Sequence, residues 1–245
     1  MTYFLYGEKG NLLFIDVRDK KMPTVVFDFD STLISCESLE KILEKKLDDQ
    51  PDKTDKIRRI TEEGIRGKIP FSESLAQRLK IAAPSRQDAI EFGKEAYRWL
   101  TKGIEELILS LRAQGVDIWV VSGGIQESLV PLGKKLQLPE GHIQGVKLLW
   151  DEEGKFLGID DADPFSRSKL EGVRKLAKNW SAPKIVVGDS MSDYLLYQEG
   201  IVEHFILFTQ HFRCQEVLDK GAQEAQNISQ LEQIIQGILK NHANR

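Results

Sequence analysis

The stretch TVVFDFDSTL, residues 24–33, decides the fold of this chain. Its apolar run VVF, residues 25–27, is typical of a buried strand in a parallel sheet, and two carboxylates, Asp28 and Asp30, follow it. The Ser-Thr pair after them favours the start of a helix. Functional groups of open α/β sheets collect beyond the carboxyl ends of the strands. An isolated Asp-x-Asp is more often a helix cap than a catalytic pair, so its meaning depends on the rest of the chain.

Length and composition indicate a globular protein of ordinary make-up. The 245 residues suffice for one large domain or for a core domain with an insert. A net charge of -4 gives no electrostatic reason to expect a nucleic-acid partner. We see no basic-then-apolar leader and no apolar run long enough for a bilayer, so we expect neither export nor a membrane. Cys36 and Cys214 lack metal-type spacing, which favours a cytoplasmic location over a disulfide framework.

Strand-like and helix-like patterns alternate over most of the chain. Apolar runs at residues 116–121, 184–187 and 205–208 predict further buried strands, and amphipathic stretches predict helices between them. Residues 37–99 instead carry helical patterns interrupted by prolines and show little strand character. Alternating strands and helices imply a doubly wound, mostly parallel α/β sheet, which is a Rossmann-like core.

These patterns divide the chain into three predicted parts. We expect an α/β core at residues 22–36 and 100–245, with a small helical cap at residues 37–99 inserted after the first strand of the core. Residues 1–21 form an N-terminal extension, in which two apolar runs around a Gly- and Asn-containing stretch suggest a β-hairpin.

Polar residues follow three of the predicted strands, and a lysine precedes the third of them. Taken singly, each has a plain structural explanation: Ser-Gly-Gly as a turn, acids near a helix start as partners of its dipole, and the lysine as a solvated side chain. Because the carboxyl ends of parallel strands meet at one edge of a sheet, we expect these residues to lie together. The set comprises Asp28, Asp30, Ser122, Gly123, Lys169, Asp189 and Asp193.

The chemistry that this set suits is magnesium-dependent phosphoryl transfer to an aspartate. The Asp28 carboxylate would repel a phosphate dianion unless a cation bridged them, and Mg²⁺ prefers oxygen ligands such as Asp28 and Asp189. Lys169 adds fixed positive charge, while the Ser122 hydroxyl and the Gly123 N–H can donate to phosphoryl oxygens.

The order DFDST, SGG, Lys, GDxxxD resembles the haloacid dehalogenase superfamily of phosphatases. The helical insert directly after the first motif is similar to the cap of the phosphoserine phosphatase branch. The resemblance covers roughly residues 24–239 and leaves only the N-terminal extension outside.

The resemblance implies a role for each residue of the set. Asp28 would be the nucleophile that forms an aspartyl-phosphate, and Asp30 would protonate the leaving oxygen and later activate water. Asp28, Asp189 and the backbone carbonyl of Asp30 would hold magnesium. Asp193 would support the metal loop and pair with Lys169.

Substrate choice is expected to lie partly in the cap. In phosphoserine phosphatases an acid after the first motif meets the substrate ammonium and a cap arginine meets its carboxylate. By this resemblance, the matching residues here are Glu37 and Arg78, and Phe71 would form an apolar wall. The competing structural explanation is that Glu37 starts a helix and that Arg78 pairs on the surface with Glu73 or Glu91.

One position departs from the family pattern. The family commonly has GDGxND at the third motif, whereas this chain has GDSMSD, so that Ser192 replaces an asparagine that can reach the substrate. The metal carboxylates are retained, so the departure bears on the phosphoester and not on the reaction.

The sequence leaves several functions open. The first is hydrolysis of O-phosphoserine, and the second is a phosphatase of the same branch for another small phosphorylated metabolite, such as a sugar-like phosphate or an enol phosphate of methionine salvage. A third is a receiver module that keeps its phospho-aspartate, against which the acid at Asp30 and the helical insert both argue. Dehalogenation would leave Asp30 and Asp189 unexplained. The expected partner is a small phosphorylated metabolite, and the oligomeric state stays open.

Overall fold

The apolar run of residues 25–27 ends a central strand, β3 (Pro23–Phe27), of a six-stranded sheet in the computed structural model. The structure describes residues 2–6, 12–16, 22–44 and 46–244. The remaining strands are β1 (Thr2–Tyr6), β2 (Leu12–Asp16), β4 (Asp117–Ile125), β5 (Ile143–Val146), β6 (Leu148–Trp150), β7 (Phe156–Ile159), β8 (Ser181–Gly188), β9 (His204–Phe208) and β10 (Gln223–Ala225).

The main sheet is parallel throughout, in the order β10-β9-β8-β3-β4-β5. The predicted doubly wound, mostly parallel α/β fold is therefore confirmed. Strand β3 is flanked on both sides, with Phe27 in register with Val120 of β4 and with Val187 of β8. Val25 and Val26 are at most 1% exposed, because a central parallel strand is covered on both faces and so consists of continuous apolar residues.

Helices connect the strands and also form a separate group after β3. They are α1 (Ser38–Glu44), α2 (Pro51–Ile65), α3 (Phe71–Ile81), α4 (Arg86–Glu95), α5 (Ile104–Ala113), α6 (Gln126–Lys135), α7 (Pro164–Arg167), α8 (Lys169–Leu176), α9 (Met191–Gln198), α10 (Gln215–Leu218) and α11 (Ile228–Ala243). None of the helices in the described part of the chain combines the length and the apolar character needed to cross a bilayer.

Helices α1 to α4 occupy the segment in which we predicted the cap. The two ends of this segment meet, since Ile34 and Leu100 form an antiparallel bridge and the Ser35 N–H donates to the Trp99 carbonyl over 2.8 Å. Helix α4 packs on α6, where a Cβ on Gly93 would lie 2.8 Å from the Ser128 carbonyl oxygen. The boundaries of the cap at residues 37 and 99 stay a prediction.

The strands β1 and β2 pair antiparallel in a two-stranded sheet of their own, with Phe4 opposite Phe14. The connection that a hairpin would need, residues 7–11, lies outside the described residues, as do residues 17–21.

The strand predictions need two corrections. The main sheet has six strands where the sequence patterns gave four, since β5 and β10 were not recognised. The segment Ser-Gly-Gly after the second predicted strand is not a turn into a helix but the last part of β4, which continues to Ile125. Its pairing with β5 is irregular between Val121 and Ile125, so these residues run extended without regular sheet hydrogen bonds.

Candidate active site

Three neighbouring strands bring polar residues to one edge of the sheet. Asp28 comes directly after β3, where its N–H donates to the Val187 carbonyl of β8 over 2.8 Å. Asp189 comes directly after β8, and Ser122 lies near the end of β4. Because β8, β3 and β4 are adjacent and parallel, their carboxyl ends place these side chains around one crevice.

A tight loop over Phe29–Leu33 turns the chain back toward the sheet edge after Asp28. Ser31 has φ 51 and ψ 8, which is the left-handed region that non-glycine residues seldom adopt. The loop is closed by a hydrogen bond from the Ile34 N–H to the Phe29 carbonyl, 3.0 Å. Such strained positions cluster at functional sites, and here the loop directs Asp30 and Glu37 toward the same cavity.

Lys169 is buried between two acids. Its Nζ lies 2.6 Å from Asp28 Oδ1 and 2.6 Å from Asp193 Oδ1, and the residue is 5% exposed. Burial opposes the charge of this amine, but Asp193 and Asp28 together raise its pKa above the ordinary value. The explanation of Lys169 as a solvated surface residue is therefore wrong.

Asp30 is held by the first residue of the helical segment. The Ser38 N–H donates to Asp30 Oδ1 over 2.9 Å and the Ser38 hydroxyl donates to Oδ2 over 2.9 Å. Burial, followed by repulsion from Asp28, raises the pKa of the Asp30 carboxyl to about 7. A carboxyl with that pKa can both give and take a proton near neutral pH.

Acidic oxygens crowd together at the edge of β3 and β8. Asp28, Asp189 and Asp193 each place a carboxylate oxygen within 4.8 Å of the others. Burial and the charge of Asp193 raise the pKa of Asp28 to about 7, and burial with repulsion from Asp28 raises that of Asp189 well above its usual range. Three buried acids and one lysine leave excess negative charge, which is costly without a further cation.

The donor set fits a hard divalent cation. Asp189 Oδ2 is buried and has no hydrogen-bond partner among the described residues. Asp193 is different, because its Oδ1 contacts Lys169 and its Oδ2 accepts from the Ser190 hydroxyl over 2.5 Å and from the Ser190 N–H over 3.3 Å. Oxygen-only ligands of this kind suit Mg²⁺, for which Asp28 and Asp189 would be the direct ligands and Asp193 would lie behind them.

The end of β4 offers donors beside the acids. The Gly124 N–H donates to Ser122 Oγ over 2.9 Å. Because Oγ accepts this bond, the Ser122 hydroxyl hydrogen can still donate to another group. Phe71, the first residue of α3, covers Gly123 so closely that a Cβ there would lie 2.5 Å from its ring. A side chain at position 123 would therefore require the Phe71 ring to move.

Two opposite charges in the helical segment face the same cavity. Glu37 accepts a hydrogen bond of 2.7 Å from the Ser31 hydroxyl, and burial, followed by repulsion from Asp30, raises the pKa of Glu37 to about 8. Arg78 is 7% exposed. Its Nε donates to the Ser74 carbonyl over 3.3 Å, and burial lowers the pKa of its guanidinium although Glu37 opposes this.

The competing explanation is wrong for Arg78, whereas Glu37 does lie at the start of a helix. Arg78 is not at the surface, and Glu73 and Glu91 accept instead from glutamines of their own helices. Glu37 directly precedes α1, and its carbonyl accepts from the Lys41 N–H over 3.1 Å, so it stands at the helix start while its side chain lines the cavity.

The predicted site residues lie together around one cavity of about 70 Å³. All of them except Asp193 line it, and Asp193 lies behind Lys169. Ser192 is among the lining residues, with its hydroxyl 2.8 Å from that of Ser190. The role of each residue in catalysis or binding stays a prediction.

Several polar residues of the site were missed. Ser38 holds Asp30, Ser31 holds Glu37, and Thr61 receives a long contact of 3.5 Å from Arg78. Only Ser190 had a visible signal, since a serine three residues before Asp193 matches the capping-box pattern that the structure forms.

The chain matches a known protein family and several named proteins. The model of the haloacid dehalogenase-like hydrolases matches residues 25–198. The chloroplastic phosphoserine phosphatase of Arabidopsis thaliana is 29% identical over 209 residues, 82% of this chain and 69% of that protein. The phosphoserine phosphatase of Mus musculus is 30% identical over 172 residues, 69% of this chain and 74% of that protein.

Solved structures show the same relation. A phosphoserine phosphohydrolase-like protein from Francisella tularensis is 37% identical and superposes with a TM-score of 0.84, covering 87% of this chain and all of that one. A substrate-bound phosphoserine phosphatase, 23% identical with a TM-score of 0.69, covers 90% of this chain and all of that one and shares the fold. The chain belongs to the haloacid dehalogenase-like hydrolases, and it is a phosphatase that resembles the phosphoserine phosphatases.

Proposed function

We propose that the chain hydrolyses O-phosphoserine to serine and phosphate, through an aspartyl-phosphate on Asp28 and with Mg²⁺ as its metal. The reaction is supported by the buried acids at the sheet edge. The substrate is supported by Glu37 and Arg78, and relatives named as phosphoserine phosphatases are consistent with both.

The choice of substrate rests on one observation. Glu37 and Arg78 face the same cavity, and neither has an ion-pair partner among the described residues. The charges of Glu37 and Arg78 influence each other's pKa, but within the described residues neither side chain forms an ion pair of 4.0 Å or less, and both line the cavity beside Asp28. A guanidinium buried like that of Arg78 is costly without a partner, and a carboxylate half-buried like that of Glu37 is costly to a lesser degree. A ligand with an ammonium, a carboxylate and a phosphate would give each of these charges a partner, and O-phosphoserine is the smallest amino-acid phosphate of that kind.

In the proposed reaction, the Asp28 carboxylate attacks phosphorus while the bond from phosphorus to the serine oxygen breaks. Asp30 gives its proton to that oxygen. Asp30 then takes a proton from water, whose oxygen attacks the aspartyl-phosphate, and phosphate leaves as Asp28 is regenerated. Lys169 and the Ser122 hydroxyl stabilise the charge on the phosphoryl oxygens.

The metal would be held by Asp28 and Asp189. It would supply the positive charge that lets a phosphate dianion approach the carboxylate of Asp28. The remaining positive charge at that point comes from Lys169, 2.6 Å from Asp28 Oδ1.

Three substrates that differ by one group test the proposal. O-phosphoserine is compared with phosphoethanolamine, which lacks the carboxylate, and with 3-phosphohydroxypropionate, which lacks the ammonium, by phosphate release with Mg²⁺ present. A hydrogen bond to a charged group contributes about 1.5–3 kcal/mol, so we expect kcat/KM to fall about 10- to 100-fold for each analogue.

The result also distinguishes O-phosphoserine from the alternative substrate, another small phosphorylated metabolite. If the analogue without the ammonium is hydrolysed as fast as O-phosphoserine, the amino-acid substrate is wrong and another small phosphorylated metabolite takes its place. A screen of phosphorylated sugars and enol phosphates would then follow. Ser192, where the family pattern has asparagine, is the residue that would explain such a change.

A further inference from the structure

Both carboxylate oxygens of Asp30 are engaged by one residue, Ser38. The Ser38 N–H reaches Oδ1 and the Ser38 hydroxyl reaches Oδ2, each over 2.9 Å, and Ser38 is fully buried. A two-point contact of this kind fixes the plane of the carboxylate as well as its position. Ser38 is the first residue of α1, so the helical segment after β3 holds the acid that we propose to move protons.

The two contacts are not equivalent. A backbone N–H can only donate, so Oδ1 is kept as an acceptor in every protonation state. A hydroxyl can donate or accept after rotation of its hydrogen, so the Ser38 hydroxyl can remain hydrogen-bonded to Oδ2 whether or not Oδ2 carries a proton. Oδ2 is therefore the oxygen whose partner can follow a change of protonation by rotating its hydrogen.

Oδ2 is also the oxygen that faces the proposed phosphate-binding residues. A Cβ built on Gly124 would lie 3.5 Å from Asp30 Oδ2, 3.0 Å from Ser38 Oγ and 3.2 Å from Ser122 Oγ. The three oxygens therefore lie around the place that a Cβ on Gly124 would take, and Ser122 lines the cavity beside Asp28. A side chain at Gly124 would push against the Ser38 hydroxyl.

We propose that Ser38 is a positioning residue that directs Oδ2 of Asp30 toward the leaving oxygen, an inference that rests on the proposed function. Its hydroxyl keeps Oδ2 aligned when the proton moves from Oδ2 to the leaving oxygen and, in the second half of the reaction, from water to Oδ2. Ser38 itself touches neither substrate nor phosphorus.

The test uses the basicity of the leaving group. A serine alkoxide needs a proton as it leaves, whereas p-nitrophenolate leaves without one, and kcat/KM reports the steps up to loss of the leaving group. Loss of one hydrogen bond to a charged group corresponds to about 10- to 100-fold. For Ser38→Ala we expect kcat/KM to fall by that factor with O-phosphoserine and by less than about threefold with p-nitrophenyl phosphate.

Two further readouts belong to the same experiment. With p-nitrophenyl phosphate, Ser38→Ala should show a burst of p-nitrophenolate followed by slow turnover, because the attack of water on the aspartyl-phosphate still needs Asp30 as a base. Ser38→Thr keeps the hydroxyl and should restore most of kcat/KM with O-phosphoserine. Should Ser38→Ala fail to fold, Ser38→Cys, which keeps the size but is a weak donor, replaces it.

The matched control is Ser128→Ala. Ser128 is as buried as Ser38, and its hydroxyl donates to the Ile125 carbonyl over 2.7 Å, away from the cavity. We expect this variant to keep kcat/KM for both substrates. Equal losses with both substrates in Ser38→Ala, or no loss with O-phosphoserine, would overturn the role of Ser38.

The comparison of the two substrates depends only on the basicity of their leaving groups. If the wild type prefers a different alkyl phosphate, the proposal of O-phosphoserine as the substrate fails. That alkyl phosphate then replaces O-phosphoserine in the experiment, so the role of Ser38 is still tested.

Discussion

Asp28 and Asp30 are two residues apart and have similar raised pKa values, yet their partners differ. Asp28 contacts Lys169, which favours its charged form and hence nucleophilic attack, while Asp30 contacts the neutral Ser38. We therefore expect Asp28→Asn to abolish turnover while preserving the fold, since asparagine has the same size and can still accept from the Phe29 N–H. Phosphate release and circular dichroism measure the two effects.

Asp30→Asn should give a different result. The nucleophile remains, so we expect a trapped phospho-enzyme or very slow chemistry, seen as an added phosphoryl group in the mass of the denatured protein. Wild-type turnover in Asp30→Asn would contradict the proposed mechanism.

Arg78 should act on one class of substrate only. Arg78→Ala removes the charge that we place opposite the substrate carboxylate, so KM for O-phosphoserine should rise about 10- to 100-fold. KM for p-nitrophenyl phosphate, which has no carboxylate, should change by less than about threefold. Arg58→Ala is the control, because Arg58 is an arginine of the neighbouring helix α2 whose side chain is exposed. Equal effects of Arg78→Ala on both substrates would show that Arg78 supports the fold only.

Glu37 should make recognition of the ammonium depend on pH. Burial and Asp30 raise the pKa of Glu37 to about 8, so in the free enzyme its carboxylate is fully charged only above that pH. The ratio of kcat/KM for O-phosphoserine to that for 3-phosphohydroxypropionate should therefore rise between pH 6.5 and about 9. In Glu37→Gln the ratio should be low and independent of pH, and a ratio that is flat in the wild type would rule out Glu37 as the partner of the ammonium.

The polar strand ends are visible in the sequence, whereas the residues that hydrogen-bond to them are not. Asp28 and Asp189 stand out locally because each follows an apolar run, and the geometry of parallel sheets brings them together. Ser38 reaches Asp30 across a loop in which Ser31 adopts a left-handed conformation and donates its N–H to the Cys36 carbonyl over 3.3 Å. A single serine at the start of a helix carries no signal of such a contact.

At the scale of elements, helix α4 depends on a capping box at its start. The Asp88 N–H donates to Ser85 Oγ over 3.1 Å, and the Ser85 N–H donates to Asp88 Oδ2 over 2.7 Å. Loss of such a cap costs about 1 kcal/mol, so Ser85→Ala should lower the free energy of unfolding by about that amount in urea. Gln87→Ala, at an exposed position two residues further along, should change it by less than about 0.5 kcal/mol. Equal effects of the two variants would contradict the contribution of the cap.

The two strands that sequence analysis missed, β5 and β10, are the two edges of the main sheet. An edge strand has one neighbour and is only partly covered, so it needs no continuous apolar run. Strand β10 consists of Gln-Glu-Ala, and β5 contains Gln144 and Gly145. Their extended conformation follows from pairing with β9 and β4, which the local sequence does not encode. The central strands were predictable because they are buried on both faces.

For the whole molecule, the crowded acids make folding and metal binding interdependent. Asp28, Asp189 and Asp193 repel one another in a buried position, and Asp189 Oδ2 has no partner among the described residues. The protein without metal should therefore be less stable than the protein with it. Mg²⁺ at about 100 times its Kd would add about 2.7 kcal/mol to the stability of the folded state.

That stabilisation predicts a measurable rise in the melting temperature. For a chain of this size, each kcal/mol corresponds to about 2–4 °C, so Mg²⁺ should raise Tm by about 5–10 °C over the protein treated with a chelator, and activity should return with it. Asp189→Asn removes a repelling charge and a ligand together. We therefore expect this variant to melt higher than the wild type without metal and to gain little from Mg²⁺. An equal gain in Asp189→Asn would mean that the ion binds elsewhere, whereas loss of the gain in that variant alone identifies the edge of β3 and β8 as the metal site.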